Sequence, residues 1–138
     1  MILTDTGFWL ALLNKKDKYH QRANSVLDDL EEPLITTWPV VTETTHLLLT
    51  RLDSHSQIRF IDNLAKGYVD IFDLGQIHLP RIKMLMKKYE SLPMDFADAS
   101  IVIAAEELGD GRILSTDLRD FNAYRWKNHR PFNNLLID

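Results

Sequence analysis

The sequence holds no cysteine, no excess of basic charge and no long apolar run. Without cysteine there is no disulfide framework and no thiolate zinc site, which suits a reducing cytosol. The five histidines, His20, His46, His55, His78 and His129, show no metal-ligand spacing. Lys and Arg number 16 against 20 Asp and Glu, a formal net charge of −4 that by itself argues against a nucleic-acid partner. The apolar start MILTDTGFWLALL lacks a basic flank and already carries Asp5, so no signal peptide is expected. The remaining apolar runs fall far short of a bilayer span, and no membrane partner is expected. There is no internal repeat, linker or low-complexity tract. A chain of 138 residues with 45% hydrophobic content is then expected to form one globular domain over residues 1–138.

What the chain does have is concentrated between Leu92 and Phe121, LPMDFADASIVIAAEELGDGRILSTDLRDF. Asp95, Asp98, Asp117 and Asp120 lie around two apolar runs. Phe96–Leu108 is rich in Ala, Ile and Glu and free of Pro and Gly, which predicts a helix starting near Phe96. Gly109-Asp110-Gly111 ends it, because glycine accepts the left-handed conformation of a helix end. Arg112–Ser115 reads as a short buried strand with Asp117 just past its C-terminal end.

Around this stretch, strands and helices alternate. Met1–Thr4 predicts a strand ending at Asp5, and Thr6–Asn14 a buried helix with Phe8, Trp9, Ala11, Leu12 and Leu13. Asp17–Leu30 repeats apolar residues at helical spacing. Leu34–Thr37 predicts a second strand, and a helix begins at Pro39, a residue suited to a first turn, and runs to about Leu52. Ser54 is expected to cap the next helix, to Lys66. Tyr68–Leu74 alternates as a third strand, and Gln76–Tyr89 reads as a helix with Ile77, Ile82, Leu85 and Met86 inside. Asp120–Arg130 reads as a basic, aromatic loop, and Pro131–Ile137 as a weak fifth strand. Alternation of this kind predicts an α/β fold with a parallel sheet covered on both faces. Ligands in such folds sit beyond the C-terminal strand ends, where strand order reverses. Asp5 and Asp117 both fall at such ends and meet if the first and fourth strands are neighbours.

Each acid has two readings. Asp95 and Asp98 form a near capping box, and Asp117 suits the cap of a short turn. Glu43, among Val40, Val41, Leu47 and Leu48, is either solvated on the shoulder of its helix or drawn to a charge partner. Asp5-Thr6-Gly7 matches the Asp-Thr-Gly of aspartic proteases, but a helix follows where an all-β setting is needed. An aspartyl phosphatase would want a second Asp two residues on, where Gly7 stands.

Asp5-Thr6, Thr42-Glu43, Asp98-Ala99 and Ser115-Thr116-Asp117 followed by Asp120-Phe121 together resemble the PIN domain family, closest to the VapC-type toxin ribonucleases. The resemblance spans essentially the whole chain. It implies a three-layer α/β/α sandwich around a central parallel sheet of about five strands. It also implies Mg²⁺ or Mn²⁺ held by Asp5, Glu43, Asp98 and Asp117, with Thr6 as a supporting hydrogen-bond donor. Asp95 is an additional acid, read as a fifth ligand or a water-holder, and Asp120 as fixing its turn. Such a site hydrolyses RNA phosphodiesters and leaves a 5′ phosphate. Setting Asp5, Glu43, Asp95, Asp98 and Asp117 aside leaves 15 of the 20 acids against 16 bases, so charge permits RNA. Arg119, Arg125, Lys127 and Arg130 read either as an RNA-holding loop or as solvated charge. A toxin of this kind implies a cognate antitoxin, a homodimer and a cytoplasmic setting. A housekeeping RNA-processing PIN nuclease and a catalytically silent RNA- or protein-binding module are the alternatives.

Overall fold

Strand β1 (Ile2–Thr4) is the axis of the molecule: Ile2 and Leu3 have no solvent exposure, and Thr4 is equally buried. A computed structural model describes residues 1–137. After β1 the chain runs through α1 (Thr6–Leu13), α2 (His20–Asp29), β2 (Leu34–Thr37), α3 (Trp38–Arg51), α4 (Ser54–Ala65) and β3 (Val69–Phe72). A 3₁₀ turn at Gln76–His78 leads to α5 (Leu79–Lys88), α6 (Phe96–Leu108), β4 (Arg112–Leu114) and α7 (Leu118–Ala123). Three two-residue strands close it: β5 (Arg125–Trp126), β6 (Arg130–Pro131) and β7 (Asn133–Asn134).

Five strands form one sheet in the order β3-β2-β1-β4-β7, every pair parallel. Helices cover it on both faces, giving the α/β/α sandwich. Leu3 registers with Ile35 on one side and with Ile113 on the other, so β1 and β4 are neighbours. Strand order turns there, β2 and β3 lying to one side of β1 and β4 and β7 to the other. Threonine hydroxyls inside this sheet are satisfied by main chain and indole. Thr4 Oγ1 donates to Ile35 O at 3.0 Å, Thr36 Oγ1 to Thr4 O at 3.0 Å, and Trp9 Nε1 to Thr4 Oγ1 at 3.1 Å.

Helix α6 is buried over most of its circumference, from Ala97 and Ala99 through Ala105, as expected of a helix apolar on all sides. Asp95 caps its start, accepting the Asp98 N–H at 2.8 Å, and Gly109 ends it at φ +68°. No helix among the described residues is long and apolar enough to cross a membrane.

Four sequence expectations are corrected. The Asp120–Arg130 loop is instead most of α7 followed by an antiparallel β5–β6 hairpin, with Arg125 opposite Pro131 and Trp126 opposite Arg130. The fifth strand shrinks from Pro131–Ile137 to Asn133–Asn134, because Arg130 and Pro131 belong to that hairpin. Asp53, not Ser54, caps α4, accepting the Ser56 N–H at 2.7 Å. The helix expected from Gln76 breaks at Pro80, whose missing N–H starts a new first turn. Ile77 is left on the 3₁₀ turn, 86% exposed rather than inside.

Candidate active site

Every acid singled out in the sequence sits at the same edge of the sheet, brought there by a strand end, a helix start or, for Glu43, the second turn of α3. Asp5 leaves β1 and caps α1, its Oδ1 accepting the Phe8 N–H at 3.1 Å. Its Oδ2 accepts a short hydrogen bond from the Ser115 hydroxyl, which in turn accepts the Asp117 N–H at 3.0 Å. Ser115, at the end of β4, thus couples the first acid of the chain to the last pair. Asp117 caps α7 and accepts the Asp120 N–H at 3.2 Å. Asp98 lies in the first turn of α6, where the Tyr124 hydroxyl donates to its Oδ2 at 2.8 Å. Glu43, half-buried in α3, and Asp95, exposed at the α6 cap, complete the set.

These acids line one cavity of about 240 Å³: Asp5, Glu43, Asp95, Asp98, Asp117 and Asp120 all contribute, with Thr6 beside them. Carboxylate oxygens of Asp98, Asp117 and Asp120 lie within 4.8 Å of one another. No Lys or Arg lines the cavity among the described residues. The electrostatics follow. Burial pushes the Asp5 carboxyl up to about 7, opposed by its bonds from Ser115 and Phe8 and reinforced by Asp117 and Glu43. Asp98 is pushed up to about 8, by burial first and then by Asp95, with Asp117 and Asp5 adding to it. Asp117 is raised as well, again chiefly by burial. Carboxylates crowded in this way repel one another until a proton or a cation intervenes.

A family model, that of the PIN domain, matches residues 2–127. The chain belongs to the PIN domain family. It is 25% identical over 124 residues to Ribonuclease VapC26 of Mycobacterium tuberculosis, covering 90% of this chain and 92% of that one. Its fold is that of the crystal structure of Mycobacterium tuberculosis VapC20, described as a toxin that cleaves the sarcin–ricin loop. There the TM-score is 0.84 at 22% identity, over 95% of this chain and all of that one.

Within this PIN domain the predicted basic residues do not gather around the acids. Arg119 alone borders them, donating from Nε to Asp120 Oδ1 at 2.9 Å and from Nη2 to Leu92 O at 3.1 Å. The Arg125 guanidinium closes the end of α7, donating to the carbonyls of Asn122 at 2.7 Å and Tyr124 at 2.9 Å. Lys127 and Arg130 lie over the Trp126 ring, 5.8 and 5.3 Å from its centre. The Lys127 N–H donates to Glu106, which is eight residues beyond Asp98 on α6 and so about 12 Å farther along the helix.

Three residues of this PIN site have places that the sequence reading did not give them. Asp120 is buried and belongs to the carboxylate trio, although its place one turn after Asp117 suggested a turn-fixing role. Ser115 and Tyr124 act through hydrogen bonds to acids more than twenty residues distant, for which the sequence carries no local signal. Gly7 has a cause of its own: a Cβ there would collide with the Thr116 hydroxyl.

Proposed function

We propose that the chain acts as a single endoribonuclease domain that hydrolyses RNA phosphodiesters with Mg²⁺ or Mn²⁺. Its setting is the toxin half of a cytoplasmic toxin–antitoxin pair, as a homodimer with a cognate antitoxin. The observation that carries the reading is six carboxylates around one small cavity, with no cation among its lining side chains, in a PIN domain. The similarity to a ribonuclease and to a toxin supports RNA as substrate and an antitoxin as partner.

The donor set fits a hard divalent cation, since it offers carboxylate oxygens and neither imidazole nor thiolate. Asp98, Asp117 and Asp120 would hold the ion, with Asp5 and Glu43 around it and Asp95 at the rim. Once bound, such an ion offsets the carboxylate repulsion and acidifies a water in contact with it. The chain's own groups position the rest. Ser115 and the α1 N–H of Phe8 fix both oxygens of Asp5, and Tyr124 fixes one oxygen of Asp98. The buried Thr6 hydroxyl, which lines the cavity and has no hydrogen-bond partner among the described residues, is free to donate to a water or a phosphate oxygen. Glu43 takes a proton from the attacking water. The water oxygen adds to phosphorus, the bond to the 3′ oxygen breaks, and that oxygen takes a proton from solvent to leave as a hydroxyl, with the phosphate kept on the 5′ side.

The test is cleavage of RNA with Mn²⁺ by the wild type and by Asp5→Asn, Asp98→Asn and Asp117→Asn. Each substitution is expected to cost more than the roughly 10–100-fold that follows loss of an outer partner of a metal ligand. Near-normal cleavage by all three would sink the assignment of the site. Light scattering of the wild type checks the dimer.

A further inference from the structure

Beside the acid cavity runs a larger groove of about 710 Å³, walled by Trp38, Pro39, Leu79 and Phe96. Glu43, Asp95 and Ala97 belong to the walls of both, so the two spaces adjoin. The groove arises from how two helices begin. Trp38 is the first residue of α3, after its cap Thr37, and Phe96 is the first residue of α6, after its cap Asp95. Thr37 Oγ1 and Ser100 Oγ lie 2.6 Å apart and tie the two helix starts together. A first residue has no preceding helical turn to cover its side chain. The rings accordingly stay open to solvent, Trp38 at 56% and Phe96 at 42%. Among the described residues the only other exposed aromatic ring is Tyr68.

Aromatic surface left in water beside a polar cavity marks a binding site rather than a structural need. The chemistry of the walls narrows the ligand. No Lys or Arg lines the groove among the described residues, and Glu43 and Asp95 stand where it joins the acids, so an anionic group would be repelled from it. The occupant is therefore flat-faced and uncharged, yet joined to a group held in the acid cavity. Thr42, His46 and Gln76 place hydrogen-bonding side chains along the same walls, suited to the polar edge of a ring.

We infer that this groove is a subsite for unpaired nucleobases flanking the phosphodiester at the acids, with Trp38 and Phe96 as stacking platforms. The inference rests on the nuclease reading above. A groove of this size takes a drug-sized ligand, more than one base. A base in a duplex has its faces covered by its neighbours and its edge by its partner. The subsite therefore selects single strands, loops and bulges over paired RNA.

Trp9 and Trp126 are buried, so the solvent-exposed part of the tryptophan emission comes from Trp38 and reports on the groove directly. The probe is a short 2′-O-methyl oligonucleotide, given with Mn²⁺ as a single strand and as a full duplex. The single strand is expected to quench the exposed emission and the duplex to leave it unchanged, and Trp38→Leu to abolish the response. On an unstructured RNA substrate, Trp38→Leu raises KM about ten-fold with the melting temperature unchanged, and Trp38→Phe recovers most of the loss. Phe96→Leu gives the same direction independently, in case a change at Trp38 disturbs α3. Wild-type KM in both leucine variants, or equal quenching by single strand and duplex, overturns the subsite. A change of molecular mass in Trp38→Leu with RNA binding intact assigns the groove to a protein partner and overturns it too. Cleavage that still stops in Asp98→Asn shows in either case that the nuclease reading stands. Quenching by the single strand without any cleavage of RNA by the wild type supports the subsite and removes the nuclease reading.

Discussion

Asp5 and Asp98 hold their protons at a pH where an ordinary aspartate has lost them, at about 7 and about 8. An unfolded chain releases the same protons near pH 4. The folded state therefore binds more protons than the unfolded one across the window between, and stability falls as pH rises. It is fully present below the unfolded value and lost through the folded ones. The carboxylates that run the other way, Glu32, Asp53 and Asp110, are lowered by their hydrogen bonds and act only below about pH 4. The melting temperature of cation-free protein should thus drop between about pH 5 and pH 8, and saturating Mn²⁺ should flatten that slope. A cation-free profile that rises over this range contradicts the burial of the two acids. Tyr124 is the residue to probe beside them. Its ring is fully buried and packed edge-on by Tyr89 at 5.0 Å and Phe121 at 5.1 Å, so it cannot follow Asp98 if the carboxylate turns. Tyr124→Phe removes only the hydroxyl and should weaken Mn²⁺ binding about ten-fold in calorimetry. Unchanged affinity would leave that hydroxyl with no part in holding Asp98.

Helix α6 carries the start of the site and shows why some elements are legible in sequence. Both of its ends are written locally, Asp95 as the cap and Gly109 as the left-handed stop, and its bounds follow from those residues alone. Gly109 has nothing within 4 Å of where a Cβ would stand, so Gly109→Ala tests conformation alone. It should cost about 1 kcal/mol in urea unfolding, with cleavage unchanged; a loss of cleavage would tie the helix end to the site. The gathering of Asp5 and Asp117 needed one further condition, that β1 and β4 pair, which chain order suggests but no local pattern enforces. The segment from Leu118 to Pro131 was illegible for a different reason. A six-residue helix and two-residue strands are too short for any period to emerge, and the hairpin depends on Trp126 packing over Gly111 and on Glu106 holding Lys127. The cavity-facing place of Asp120 was hidden with it, since it exists only once α7 forms.

Taken as a whole, the molecule carries a concentrated negative charge at one edge of its sheet, and a cation that binds only the folded state must raise its stability by mass action. At a concentration one hundred times the dissociation constant the gain is about 2.7 kcal/mol. Melting in millimolar Mn²⁺ should therefore shift upward in the wild type and much less in Asp98→Asn; equal shifts would place the cation elsewhere. The order of the strands has a consequence of another kind. β1 is made first but lies between β2 and β4, and the partner that closes the acid edge is Ile113 and Leu114, more than one hundred residues downstream. While the chain is being synthesised, Asp5 waits without Ser115, Asp117 or Asp120, and the helix bearing Asp98 has no sheet edge to complete. A nascent chain that has not yet added β4 is thus without its acid site. The nuclease proposed here would come into being only once a strand made more than one hundred residues later has joined the first.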